Sequence, residues 1–147
     1  MLYLDASALV KRYVREQGRR ALELRLRADQ LLYSSASSFA EVHAALARKH
    51  REREITQVEF LQARNQFERD WIEIHEVAVN AETLNPVPPL VERLRLRGMD
   101  AIHLAAAIWV ERKFAQKPEV VSSDPALLHS AKGLGFLIFD PSQVTES

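Results

Sequence analysis

Short apolar segments alternate with segments of helical spacing along the whole chain, and this alternation limits the possible folds more than any other feature of the sequence. The predicted strands are residues 1–4, 30–34, 72–77, 119–122 and 136–139. Strands that are separated by helices are typical of parallel sheets, because a parallel connection must cross back over the sheet. We therefore predict a three-layer α/β fold, with a central parallel sheet of about five strands flanked by helices.

Helical spacing fills the segments between these strands. The predicted helical segments are residues 6–13, 19–28, a hairpin over 37–71, 80–97, 99–114 and 125–134. Gly18 separates the first two segments, and three prolines disturb the segment 80–97. The chain has 147 residues, close to the roughly 150 of one ordinary domain. We therefore expect a single domain over residues 1–147.

Composition and charge exclude several classes of protein. The chain has no cysteine, which excludes a disulfide scaffold, a thiol nucleophile and a cysteine zinc site. Its 20 basic and 20 acidic residues cancel, so bulk positive charge does not indicate nucleic-acid binding. The first residues do not resemble a signal peptide, and the longest apolar run, residues 104–110, is too short to span a membrane. We expect a cytoplasmic protein without a membrane partner.

Four acidic residues follow predicted strands or begin predicted helices. Asp5 ends the first strand, and Asp124 follows the fourth. Glu41 lies in the first turn of the helix after the second strand, and Asp100 in the first turn of the long apolar helix. In open α/β sheets, ligands bind beyond the carboxyl ends of the strands. A parallel sheet would therefore bring all four carboxylates to one edge.

Each of these acids also has a purely structural interpretation. Asp5 and Asp124 suit N-cap positions, and Asp100 near a helix start interacts favourably with the helix dipole. Glu41 stands three residues after Ser38, which is the spacing of a capping box. Helix capping alone does not require the four acids to share one edge of the sheet, whereas a metal site does. Together the four acids therefore favour a metal site over helix capping alone.

The chemistry of four close carboxylates predicts a divalent cation. Such groups repel one another, and without a cation some of them must take up protons. Magnesium and manganese prefer oxygen ligands. A cation of this kind lowers the pKa of water and clamps phosphate oxygens, which suits phosphodiester hydrolysis.

Four motifs together resemble those of the PIN-domain nucleases. They are LDASAL at 4–9, AEV at 40–42, DAIHLAAA at 100–107 and SSDPAL at 122–127. The pattern is most similar to the VapC-type toxins of toxin–antitoxin pairs. The resemblance implies a PIN-like domain that acts as a Mg²⁺- or Mn²⁺-dependent endoribonuclease on RNA. It also implies a homodimer that is blocked by a small antitoxin protein.

The same resemblance implies roles for particular residues. The acids that match Asp5, Glu41, Asp100 and Asp124 are the catalytic and metal-binding residues of that family. Hydroxyls that match Ser7 and Ser122 support the site. Ser122 departs mildly from the family, where threonine is common at this position, but it retains the hydroxyl.

Further side chains near these motifs have less specific roles. Lys11, Arg12 and Arg15 follow Asp5 closely and are candidate phosphate contacts. His103 lies three residues after Asp100, a spacing that can chelate a metal. We interpret His103 instead as a packed or hydrogen-bonded histidine.

Two other classes of function lack residues that they require, and two alternatives share the same fold. A haloacid-dehalogenase-type phosphatase requires a second aspartate two residues after the first, where this chain has Ser7. A response-regulator receiver requires adjacent acids at the first strand end, but Leu4 precedes Asp5. A housekeeping PIN-domain nuclease and a catalytically silent PIN-like partner-binding module are alternatives within the same fold.

Overall fold

The computed structural model describes residues 1–26 and 30–145 and contains one parallel sheet. Its strands are β1 (Leu2–Leu4), β2 (Leu32–Ser35), β3 (His75–Val77), β4 (Glu119–Val121) and β5 (Ile138–Phe139). Neighbouring strands pair in the order β3-β2-β1-β4-β5, and every pair is parallel. The prediction of a five-stranded parallel sheet is confirmed.

Helices occupy the segments in which helical spacing predicted them. They are α1 (Ala6–Leu9), α2 (Arg19–Arg25), α3 (Ser37–Arg51), α4 (Gln57–Trp71), α5 (Ala81–Leu84), α6 (Val87–Leu94), α7 (Gly98–Phe114) and α8 (Pro125–Gly133). Two short 3₁₀ turns, Val10–Arg12 and Pro141–Gln143, follow α1 and β5. The predicted segment 19–28 extends to residues 27 and 28, which lie outside the described residues. The predicted segment 80–97 is divided into α5 and α6 near Pro86, which has no N–H for an intrahelical hydrogen bond.

Alternate side chains of the central strand face opposite layers of helices. Tyr3 of β1 is buried in the cluster that α6, α7 and α8 form on one face of the sheet. Leu2 and Leu4 are buried against α1, α3 and α4 on the other face. This arrangement follows from the two-residue period of a strand, and it gives the predicted three-layer α/β architecture. Among the described residues, no helix is long and apolar enough to cross a membrane.

The chain reverses its direction across the sheet between β3 and β4. From the central β1 it adds β2 and β3 on one side, and it then crosses to place β4 and β5 on the other side. The carboxyl ends of β1 and β4 therefore flank a topological switch point, where open α/β sheets form their ligand-binding crevice. Asp5 directly follows β1, and Ser122 directly follows β4.

Candidate active site

Several hydrogen bonds hold the Asp5 carboxylate at the carboxyl end of β1. Its Oδ1 accepts a hydrogen bond from the backbone N–H of Ala8 at 3.0 Å, so it caps α1. The Ser7 hydroxyl donates to both carboxylate oxygens, at 2.7 and 2.9 Å, and the Ser122 hydroxyl donates to Oδ2 at 2.7 Å. Burial raises the pKa of Asp5, although the charge of His103 and these hydrogen bonds oppose the shift. The two predicted supporting serines thus both contact the carboxylate of Asp5.

Ser122 links Asp5 to the segment that carries Asp124. Its Oγ accepts a hydrogen bond from the backbone N–H of Asp124 at 2.9 Å while it donates to Asp5. Asp124 caps α8 with Oδ1, which accepts from the N–H groups of Ala126 and Leu127 at 2.9 and 3.3 Å. The Oδ2 atom of Asp124 faces Arg97. Asp5 and Asp124 therefore each cap a helix and also lie at the candidate site.

Asp100 and Asp124 lie close together beneath an arginine. Burial and the charge of Asp124 raise the pKa of Asp100, and Arg97 opposes this shift. The Arg97 Nε lies 3.5 Å from Oδ2 of Asp100, and its Nη2 lies 3.3 Å from Oδ2 of Asp124. Arg97 was not among the residues predicted from sequence. Its position three residues before Asp100 at a helix start was the available signal.

Glu41 lies on α3 and is bound by a histidine. Its Oε1 lies 2.8 Å from Nε2 of His103 and accepts a second, longer hydrogen bond from the Ser37 hydroxyl at 3.3 Å. The capping-box interpretation of Glu41 is wrong, because α3 begins at Ser37 without a side-chain cap. The buried Ser38 instead accepts a hydrogen bond from Ser34.

His103 joins the acids to the core of the sheet. It is buried, and its Nδ1 is hydrogen bonded to the Tyr3 hydroxyl at 2.7 Å. Burial acts to lower the pKa of His103, but the hydrogen bond with Glu41 and the charges of Asp5, Glu41 and Asp100 outweigh it and raise the pKa. The structure agrees with the interpretation of His103 as a hydrogen-bonded residue. Tyr3 was not among the residues predicted from sequence, and the available signal was that most buried hydroxyls have a hydrogen-bond partner.

The residues at this edge of the sheet suit a hard divalent cation. Carboxylate oxygens are the ligands that such a cation prefers, and the raised pKa values of Asp5 and Asp100 reflect the cost of burying negative charge, which a cation would compensate. Within residues 1–26 and 30–145, however, no three acidic or histidine side chains form a ready-made metal cluster. Glu41 is paired with His103, and Arg97 faces Asp100 and Asp124.

The predicted phosphate contacts lie apart from these acids. Lys11 is buried, and its Nζ binds Oε1 of Glu16 and the carbonyl of Gln17, at 3.0 and 3.1 Å. The ammonium group of Lys11 is therefore bound within the protein, and the prediction that it contacts phosphate is wrong. Arg12 and Arg15 line a cavity of about 710 Å³ beside α4, together with two further arginines. None of the four acids is among the described residues that line this cavity.

Three comparisons with known proteins agree with this architecture. A family profile described as the PIN domain matches residues 2–131. Ribonuclease VapC45 of Mycobacterium tuberculosis is 33% identical over 110 residues, which are 75% of this chain and 76% of that protein. Ribonuclease VapC46 of the same species is 33% identical over 141 residues, 96% of this chain and 98% of that protein. A chain of a toxin–antitoxin complex from Klebsiella pneumoniae has the same fold, with a TM-score of 0.69 at 14% identity over 98% of this chain and 100% of that chain.

Proposed function

This chain belongs to the PIN-domain family, and from that membership we propose that it is a metal-dependent endoribonuclease, the toxin of a toxin–antitoxin pair. We propose further that residues 1–147 form one nuclease domain. The observation that carries it is the position of Asp5, Asp100 and Asp124 at the β1/β4 switch point, with Glu41 joined to them through His103. Relatives over most of the chain are named as ribonucleases.

We assign the catalytic and metal-holding roles to four carboxylates. Asp5, Asp100 and Asp124 would hold Mg²⁺ or Mn²⁺, and Glu41 would assist directly or through water. When bound, such a cation neutralises phosphate charge and lowers the pKa of water. Ser7 and Ser122 hold the Asp5 carboxylate in one orientation, and His103 holds Glu41.

We propose three partners for the chain. RNA is the substrate, and Arg12 and Arg15 remain candidate contacts for its phosphates. A small antitoxin inhibits the enzyme by placing a basic side chain among the four acids, where a guanidinium can pair with two carboxylate oxygens. The toxin–antitoxin structural relative supports this partner. The third partner is a second copy of the chain in a homodimer.

An RNA-cleavage assay with purified protein tests the enzymatic function. Cleavage should require Mg²⁺ or Mn²⁺ and should stop in EDTA. Asp5→Asn keeps the size of the side chain but removes its charge, and we expect it to abolish metal-dependent cleavage without unfolding the protein. Glu92→Gln is the matched control, because Glu92 is exposed on α6. Undiminished cleavage by folded Asp5→Asn protein would contradict the assignment, and cleavage that persists in EDTA would contradict the metal dependence.

A further inference from the structure

Arg97 stands at the mouth of the site, above two of its acids. The side chain of Arg97 is 80% exposed, whereas those of Asp100 and Asp124 are 10% and 21% exposed. Its Nε faces Oδ2 of Asp100 at 3.5 Å, and its Nη2 faces Oδ2 of Asp124 at 3.3 Å. One exposed guanidinium therefore spans two largely buried carboxylates.

The backbone explains why the arginine occupies this position. Arg97 is the extended residue that immediately precedes α7, with φ −67° and ψ 158°. Asp100 lies in the first turn of the same helix, so the two side chains are neighbours at an i, i+3 spacing. The end of β4 brings Asp124 to the same point. Arg97 thus belongs to the edge of the sheet where the four acids lie.

The contacts of Arg97 with the acids are loose. Charge-assisted hydrogen bonds between guanidinium and carboxylate are typically about 2.7–2.9 Å long, shorter than both distances here. An ion pair whose cation is mostly exposed contributes little to stability, because water and salt screen it. The side chain can therefore leave Asp100 and Asp124 at a small free-energy cost. A guanidinium fits both carboxylate and phosphate, because each offers paired oxygens to its fork of N–H groups.

We propose that Arg97 exchanges between two anionic partners. Without a divalent cation it neutralises Asp100 and Asp124, and when a cation occupies these carboxylates it contacts a phosphate of the bound RNA. This inference rests on the proposed function. Arg97 then has two roles with opposite consequences, because it competes with the cation for the carboxylates but strengthens the binding of RNA.

The opposite consequences distinguish this role from a structural one. Replacing Arg97 with glutamine removes the competing charge, so affinity for Mn²⁺ should rise, by about two- to five-fold for a screened pair. The same change removes one phosphate contact, so RNA affinity should fall and the negative slope of log affinity against log salt should become shallower by about 1. A change that merely disturbed the fold would weaken both interactions.

The test measures binding rather than cleavage. Mn²⁺ is titrated calorimetrically into the metal-free full chain, and a fluorescent RNA with phosphorothioate linkages is titrated by anisotropy at several salt concentrations with Mn²⁺ present. The proteins are the wild type, Arg97→Gln, Arg97→Lys and Arg93→Gln. Arg93 is the control because it is an exposed arginine in the last turn of α6, near Arg97 in sequence. Circular dichroism confirms that each variant is folded.

Each outcome decides the inference. Tighter Mn²⁺ binding with weaker RNA binding in Arg97→Gln, wild-type behaviour in Arg93→Gln and near-wild-type Mn²⁺ binding in Arg97→Lys would support it. Unchanged or weaker Mn²⁺ binding by folded Arg97→Gln overturns it, as does unchanged RNA binding. If the wild type itself binds no Mn²⁺, the metal-dependent function fails and this inference fails with it. If the wild type binds Mn²⁺ and Arg97→Gln behaves identically, the inference alone fails.

Discussion

The Nε2 atom of His103 lies 2.8 Å from Oε1 of Glu41, and this contact ties the second strand–helix unit to α7. The other ring nitrogen is hydrogen bonded to Tyr3 in the central strand. One buried imidazole therefore connects β1, α3 and α7.

Removing this imidazole should destabilise the protein strongly. His103→Ala leaves a cavity and deprives the buried Tyr3 hydroxyl of its hydrogen-bond partner. We expect the free energy of unfolding to fall by about 2–4 kcal/mol. Urea unfolding at neutral pH in EDTA measures the loss. His129→Ala is the control, since His129 is exposed on α8, and it should change stability by less than about 0.5 kcal/mol. A similarly small effect of His103→Ala would mean that the hydrogen bonds of His103 with Tyr3 and Glu41 contribute nothing to stability.

The pH dependence of stability should reveal the buried charge of Asp5. Its pKa in the folded protein is raised, so the folded state binds more protons than the unfolded state above the ordinary aspartate pKa of about 3.9. Ionised Asp5 therefore disfavours folding, and stability is lost as the pH rises through the folded pKa. Relative to wild type, metal-free Asp5→Asn should gain stability as the pH rises above about 4.

A carboxylate with the opposite shift provides the control for this measurement. Burial acts to raise the pKa of Glu16, but the hydrogen bonds and charges of Lys11 and Lys49 outweigh it and lower the pKa. Ionised Glu16 therefore favours folding, and its contribution is lost as the pH falls through the lowered pKa. Glu16→Gln should lose stability relative to wild type as the pH rises. Urea unfolding in EDTA measures both pH profiles. Parallel profiles for the two variants would contradict the opposite pKa shifts of Asp5 and Glu16.

Gly18 should tolerate no side chain. Its φ of +90° lies in the left-handed region, and an added Cβ would lie 2.7 Å from the carbonyl carbon and oxygen of Pro141. We expect Gly18→Ala to lower the free energy of unfolding by about 2–4 kcal/mol, through backbone strain and steric overlap. Gly133→Ala is the matched control, because nothing lies within 4 Å of its added Cβ, and it should be neutral or stabilise α8 by up to about 1 kcal/mol. Thermal unfolding compares the two variants, and equal melting temperatures would contradict the expected clash.

The proposed partners can be tested by purification. The tagged chain, co-expressed with its neighbouring open reading frame, should retain a small protein, and the complex should lack ribonuclease activity. Purified alone, the chain should be a dimer by light scattering at tens of micromolar. A monomer would contradict the predicted homodimer, and a complex that still cleaves RNA would contradict the proposed toxin function. Activity without any captured partner would favour a housekeeping PIN-domain nuclease.

Local patterns in the sequence determined the elements of the fold and most of the candidate site. Strand–helix alternation predicted the parallel sheet, since each pattern reflects short-range periodicity and backbone preference. Asp5 and Asp124 were recognisable because acids at helix starts after buried strands are local features as well. Gly18 was recognisable as the break between two helices because its backbone conformation is set locally.

The tertiary structure decided which of these side chains contact one another. Arg97 reaches Asp124 across 27 positions of the chain, and Tyr3 reaches His103 across 100. Such contacts depend on the strand order β3-β2-β1-β4-β5, which places β1 beside β4 although more than a hundred residues separate them. The contacts of Lys11 were also decided by the tertiary structure. Its position after Asp5 suggested a phosphate contact, but in the folded protein its Nζ binds Glu16. Hydrophobic periodicity determines which face of an element is buried, but the direction and partner of a polar side chain depend on elements that are distant in sequence.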